Sequence, residues 1–373
     1  MTVVIVLALI IPLGYLAKIS KVPVLIYYLF AGIILGPFAL GYIKFENGPL
    51  IRQAALVVIM LRSGLGLSLQ SLKKVSRPAI LLSFVPGLIE AAAVAIAAYF
   101  IFGFTLLQGI ILGFMLAAVS PAVVVPAMLK LIDQKLGKDI PSMILASSAI
   151  DDVVALSFFT FFTSLYFNNE VSLLASILLI PLKMFLSFVL GYTFSYFIKR
   201  FNNFKLILIT ILALGSVYFE KYLPISALIL IMAMGIGLNK YSKQSADILS
   251  DIMKPVWNIM QVFLFISVGS ELNILALKDI LSLGLLLIVV GLIFRSIGVL
   301  LSVKSLTKKE QLFSMFAFMP KATVQAALAS VPLAMGIKDG DLMLLIAVLA
   351  IIVTTPIGAT LISIMAPKLL KQE

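Results

Sequence analysis

Apolar residues in this chain come in runs of roughly 20, the length at which a helix rising about 1.5 Å per residue crosses about 30 Å of hydrocarbon. Polar residues gather in the short connectors between the runs. The pattern predicts thirteen spans, at 2–17, 22–41, 50–71, 79–102, 105–129, 141–166, 171–198, 204–220, 223–239, 252–273, 280–303, 310–336 and 342–366. The expected fold class is therefore an all-α polytopic membrane protein. Connectors and tails are all short, so 1–373 reads as a single transmembrane domain with no soluble regulatory domain. Met1 leads straight into TVVIVLALIIPLGYL, without a basic segment or a small-residue cleavage signature, and the first span is expected to be retained.

Composition agrees and removes alternatives. Hydrophobic residues fill 62% of 373 positions and charged residues 12%, with mean hydropathy +1.19, which makes lipid the solvent. Soluble domains are roughly 45–50% apolar and about 25% charged. The formal net charge of +12 would suit a nucleic acid, but the basic residues sit in connectors and not on one face, so no nucleic-acid partner is expected. Lys and Arg instead favour alternate connectors. Lys73, Lys74, Arg77, Lys304, Lys308 and Lys309 fall on one side, while the other has only Lys44, Arg52, Lys221, Lys278 and Lys338. The positive-inside rule then predicts a cell (plasma or inner) membrane protein with its N-terminus outside and its C-terminus in the cytoplasm. The chain has no cysteine and no histidine. Disulfides, thiolate metal sites and imidazole-bound zinc are excluded, and proton chemistry falls to carboxylates or lysines.

Charges inside the spans are the candidates for function, because burying one in a membrane is costly. The sixth span carries SSAIDDVVAL, residues 147–156. Adjacent carboxylates on a helix point about 100° apart, so Asp151 and Asp152 cannot face each other but can border one cavity. Such a group can hold either a proton or a bare cation. Ser147 and Ser148 precede the aspartates by one turn, on the same faces, and offer further oxygens. Two spans are interrupted by proline: AAVSPAVVVPAML (117–129) contains Pro121 and Pro126, and FMPKATVQAAL (318–328) contains Pro320 beside Lys321. Proline removes a helical donor and frees a carbonyl. Paired broken helices at membrane depth point to a transporter's binding site.

Glu90 in the fourth span and Arg295 in the eleventh each lie one span before a broken helix. Spans four to six thus correspond to eleven to thirteen, an odd offset, as in an inverted repeat. Glu90 and Arg295 are expected to meet as a buried, self-neutralising structural ion pair. Arg62 and Lys183 are read as structural, the lysine snorkelling to the interface.

Taken together, VPVLIYYLFAGIILGP (22–37), AVSPAVVVPAML (118–129), Asp151–Asp152, Arg295 and PKATVQAAL (320–328) resemble the sodium/proton antiporters of the second monovalent cation/proton antiporter superfamily, especially their NHA branch. The resemblance covers nearly the whole chain. It implies inverted repeats with two crossed discontinuous helices and a homodimer. It also implies a mobile core subdomain, approximately 79–166 and 280–366, moving against a dimerisation scaffold. Asp152 becomes the principal carrier of sodium and protons, and Asp151 pairs with Lys321 or assists coordination. Ser120 lies where the family often places a hydroxyl ligand.

The expected function is exchange of sodium, or lithium, for protons by alternating access. No cofactor is needed, and the chain is not expected to be an enzyme. Carboxylates, serine hydroxyls and freed carbonyls supply the hard oxygens that sodium prefers. With two aspartates and a lysine the cycle is expected to be electrogenic. The alternative is a sodium-coupled symporter of an organic anion on the same fold. A channel lacks a repeated selectivity filter here, and an intramembrane aspartyl protease needs its carboxylates on separate helices.

Overall fold

The computed structural model describes residues 2–20, 22–66, 77–167, 173–198, 209, 211–213, 215–216, 218 and 225–371. Among the described residues every regular element is a helix. In chain order they are α1 (Thr2–Ser20), α2 (Val24–Leu35), α3 (Gly48–Gly66), α4 (Arg77–Phe102), α5 (Leu106–Ala117), α6 (Pro121–Asp133), α7 (Ile140–Phe167) and α8 (Leu173–Ile198). There follow α9 (Ala227–Tyr241), α10 (Lys243–Ser270), α11 (Ile274–Ser302), α12 (Lys308–Ala317), α13 (Thr323–Leu328), α14 (Val331–Ala334) and α15 (Gly340–Leu369). Among the described residues, eight helical stretches are long and apolar enough to cross a membrane, and shorter apolar helices join them. Every predicted span carries a described helix near its predicted place except the eighth, 204–220, most of which lies outside the described residues. Lys73, Lys74 and Lys221, used for orientation, also lie outside them.

Close contacts gather the chain into two compact units, one of Met1–Arg52, Ser76–Thr163 and Gln261–Glu373, the other of Gln53–Val75 and Ser164–Met260. In the second, α8 packs along α9, and Ser195 Oγ donates to Met234 O at 2.7 Å. In the first, α4 lies along α11 and also along α5. Small residues permit this closeness. A Cβ on Gly298 would stand 2.6 Å from the Cα of Pro86, so no larger side chain fits where α11 crosses α4.

The first unit repeats a sequence of long helix, broken helix and long helix: α4, α5/α6 and α7, then α11, α12/α13 and α15. Proline explains the first break. Pro121 cannot donate to the helix before it and pushes Ser120 into extended backbone (φ −80, ψ 111), while Ala118 is already extended (φ −66, ψ 143). Pro126 was an equal candidate on sequence, yet α6 runs straight through it. The second break spans Phe318–Ala322 around Pro320, with Ala322 at φ −153, ψ −79 before α13 begins.

Candidate functional site

The two breaks meet. The Ser120 backbone N–H donates to Pro320 O at 2.8 Å, joining the first broken helix to the second at the residues that interrupt each. All the intramembrane charges named above except Arg62 and Lys183 converge there.

Arg295 on α11 is the hub. Its Nη1 donates to Glu90 Oε2 at 2.6 Å, its Nη2 to Asp151 Oδ2 at 2.8 Å and its Nε to Phe318 O at 2.6 Å. Nη1 also donates to Ala117 O, and the guanidinium lies 5.4 Å from the centre of the Phe318 ring. Lys321, between the halves of the second broken helix, donates from Nζ to the same Glu90 Oε2 at 2.7 Å. The expected pairing of Lys321 with Asp151 is thereby corrected. One lysine ammonium meets one carboxylate here, whereas the planar guanidinium forks between two, so Arg295 takes Asp151 and leaves Glu90 to be shared. Asp151 also accepts the Val119 backbone N–H at 3.0 Å. Burial is nearly complete, Glu90, Asp151, Arg295 and Lys321 each being at most 2% exposed. A cavity with room for about one water molecule lies against Glu90, Lys321 and Thr354.

Asp152 stands apart from this network. It is fully buried, and neither carboxylate oxygen has a hydrogen-bond partner. Buried side-chain oxygens are nearly always partnered, so an orphaned carboxylate calls for an explanation. Ser120 Oγ, Thr323 Oγ1, Gln325 Oε1 and Ser330 Oγ are likewise buried and unpartnered. Ser147 and Ser148 turn their hydroxyl protons back onto their own helix, to Met143 O at 2.7 Å and Leu145 O at 3.0 Å, which leaves their oxygen lone pairs free to accept. Among the described residues no three acidic side chains come together as a cation cage.

Six carbonyls at the breaks, where the sequence offered freed carbonyls as cation ligands, already accept hydrogen bonds, Pro320 O among them. Ala117 O and Phe318 O accept from Arg295, and Leu116 O and Ala118 O accept from Gln325 Nε2 at 3.3 and 2.6 Å. Lys321 O accepts from Thr355 Oγ1 at 2.5 Å, and Thr354 Oγ1 takes the Lys321 N–H at 2.9 Å. Sequence reasoning passed over Gln325, Thr354 and Thr355. The signal for Gln325 was available: it is an amide alone in an apolar half-helix, two residues beyond Thr323.

A family model described as sodium/hydrogen exchanger, transmembrane, matches residues 5–368. The chain belongs to the transmembrane sodium/hydrogen exchanger family. Curated members similar to it include sodium/hydrogen exchanger 9B2 of Xenopus tropicalis, 33% identical over 348 residues, and that of Homo sapiens, 32% identical over 362 residues. The matches cover 87% and 88% of this chain but 64% and 66% of those relatives, so the chain spans just under two thirds of their length. Among solved structures, the sodium proton antiporter MjNhaP1 from Methanocaldococcus jannaschii at pH 8 superposes with a TM-score of 0.84 at 20% identity, covering 98% of this chain and 97% of that one. The fold is thus the sodium/proton antiporter fold, and the chain is a multi-pass membrane member of the exchanger family.

Proposed function

We propose that this chain exchanges sodium for protons across the cell membrane, one ion for one, with Asp152 holding each in turn. The observation that carries the proposal is the contrast between Asp152 and its neighbours. Glu90 and Asp151 are committed to Arg295 and Lys321, whereas Asp152 is buried without hydrogen bond or ion pair. An isolated ionised carboxylate is too costly to leave in such a place, so it must bind a proton or a cation. The two compete for one group, and competition at one site is what couples the two fluxes.

Charge bookkeeping sets the ratio. With Glu90 and Asp151 ionised and Arg295 and Lys321 charged, the network is neutral in itself. It stays neutral with Asp152 protonated and equally with Asp152 ionised beside one sodium. The electrogenic cycle expected from sequence drew on Lys321 breaking a bridge to Asp151, and with Lys321 on Glu90 that support falls away.

Sodium and lithium both suit hard oxygen ligands. The carboxylate of Asp152, with the unpartnered hydroxyls of Ser120 and Thr323 and the free lone pairs of Ser148, supplies that kind of oxygen. Asp151 assists by fixing the position of its neighbour. The names of the relatives, sodium/hydrogen exchangers, favour antiport over the organic-anion symporter. In the same proposal the core 79–166 and 280–366 moves as a body carrying the site. The N-terminus lies outside, the C-terminus in the cytoplasm, and the protein is a homodimer; the distribution of Lys and Arg supports the orientation.

The test is reconstitution in sealed liposomes with a trapped pH dye. Sodium should drive proton flux, and clamping the membrane voltage should leave the flux at equal ion gradients unchanged. Flux that reverses with voltage would refute one-for-one exchange, and absence of sodium-driven flux would refute antiport.

A further inference from the structure

A break in a membrane helix frees carbonyls, and in a dry interior each unpaired one is costly. At the end of α5 the groups are those of Leu116, Ala117 and Ala118. Arg295 takes the middle one. Gln325, from the other broken helix, takes the two that flank it through a single Nε2, at 3.3 Å to Leu116 O and 2.6 Å to Ala118 O. The orientation of this amide has one solution. Turned over, it would set Oε1 against two carbonyl oxygens, so the NH2 must face them.

Oε1 is then left buried with no partner, in a side chain with no exposed surface. A brace alone would gain from satisfying both ends of its amide. This one spends its donors on main-chain oxygens and leaves its acceptor open in a segment that also holds the unpartnered Thr323 hydroxyl. Without Gln325, the Leu116 and Ala118 carbonyls, one to four residues before Val119 and Ser120, would be free to turn toward a cation.

We propose that Gln325 is a specificity-determining positioning residue for the exchange. Its amide withholds the Leu116 and Ala118 carbonyls from the transported ion, so that the ion meets the Asp152 carboxylate and a few side-chain oxygens in place of a main-chain cage. The inference rests on exchange at Asp152. Selection between ions of equal charge depends on cavity size and on the number and flexibility of the oxygen ligands. Two neutral oxygens returned to the site favour the ion that accommodates more ligands, sodium, over the smaller lithium.

The test compares wild type, Gln325→Met and Gln325→Asn in liposomes, with the apparent KM for sodium and for lithium each measured from proton flux. Met matches the length of Gln and donates nothing. The ratio of lithium KM to sodium KM should rise by about fivefold or more, the worth of one hydrogen bond. A variant that loses stability or maximal rate at an unchanged ratio is what a brace alone gives, and it would overturn the proposal. Should Gln325→Met fail to fold, Gln325→Asn keeps the amide but is one methylene short of the two carbonyls. The same ratio then decides, a rise supporting the proposal and constancy overturning it. Absence of exchange by the wild type would sink this inference together with the function at Asp152, whereas an exchanging wild type with an unmoved ratio sinks this inference alone.

Discussion

Arg295 holds the site together, and its replacement by methionine, of similar reach but with no donor, separates its roles. Glu90 survives the change in company, because Lys321 remains 2.7 Å from its Oε2. Asp151 does not; its remaining contact is the Val119 N–H at 3.0 Å, which carries no full charge. An uncompensated buried charge typically costs about 3–5 kcal/mol. The orphaned carbonyls of Ala117 and Phe318 add roughly 1–3 kcal/mol each unless water enters. Arg295→Met should therefore be among the most destabilising single changes in the chain. The second substitution is the sharper measurement. Asp151→Asn on this background removes the stranded charge and should return much of the loss. Glu90→Gln on the same background strands Lys321 as well as Asp151, so it should add to the loss. Unfolding of six purified proteins, the wild type, the three single variants and the two double variants, in a common detergent, followed by denaturant titration and analysed as two double-mutant cycles, gives both coupling energies. Recovery by Glu90→Gln exceeding that by Asp151→Asn would show that the bidentate arrangement is wrong and that Glu90 is the sole partner of Arg295.

Asp152→Asn keeps the volume and removes both charge and exchangeable proton, so sodium-driven proton flux should vanish while the protein still folds, inserts and melts normally. Measurable exchange by that variant would move the carrier elsewhere. Lys321→Gln leaves Glu90 with Arg295 at 2.6 Å, so the fold should persist with reduced stability and the sodium-to-proton ratio, measured from the gradients at which net flux is zero, should remain one. A changed ratio would put Lys321 in the proton count. Ser120→Ala deletes a hydroxyl that has no hydrogen-bond partner, so unfolding free energy should move by less than about 0.5 kcal/mol while the sodium KM rises severalfold; an unchanged KM would remove Ser120 from the ligand set.

The spans were legible because a lipid environment imposes a length and an apolar run on each crossing helix, and both are properties of contiguous residues. The breaks were legible for a similarly local reason, since Pro121 and Pro320 act on their own backbone. Even here local chemistry overreached: Pro126 has the same missing N–H as Pro121, yet α6 continues through it because the chain around it keeps helical geometry. The wiring of the charges belongs to another level. Glu90, Asp151, Arg295 and Lys321 were identifiable as residues that must find partners, but assigning one cation to each acid presumes equal reach and equal valence. Arg295 engages two carboxylates and two carbonyls at once, and that leaves Lys321 to Glu90. The same blindness hid the fate of the freed carbonyls, because their donors, Gln325 and Thr355, come from 207 or more residues away in one case and from the neighbouring span in the other. The proposed function follows from what is left after these partnerships are made. In a network where every other acid has its cation, the single unpartnered carboxylate of Asp152 is the group whose occupancy can change without unpairing anything else. That is the physical requirement for a carrier that must release its ion on either side of a membrane.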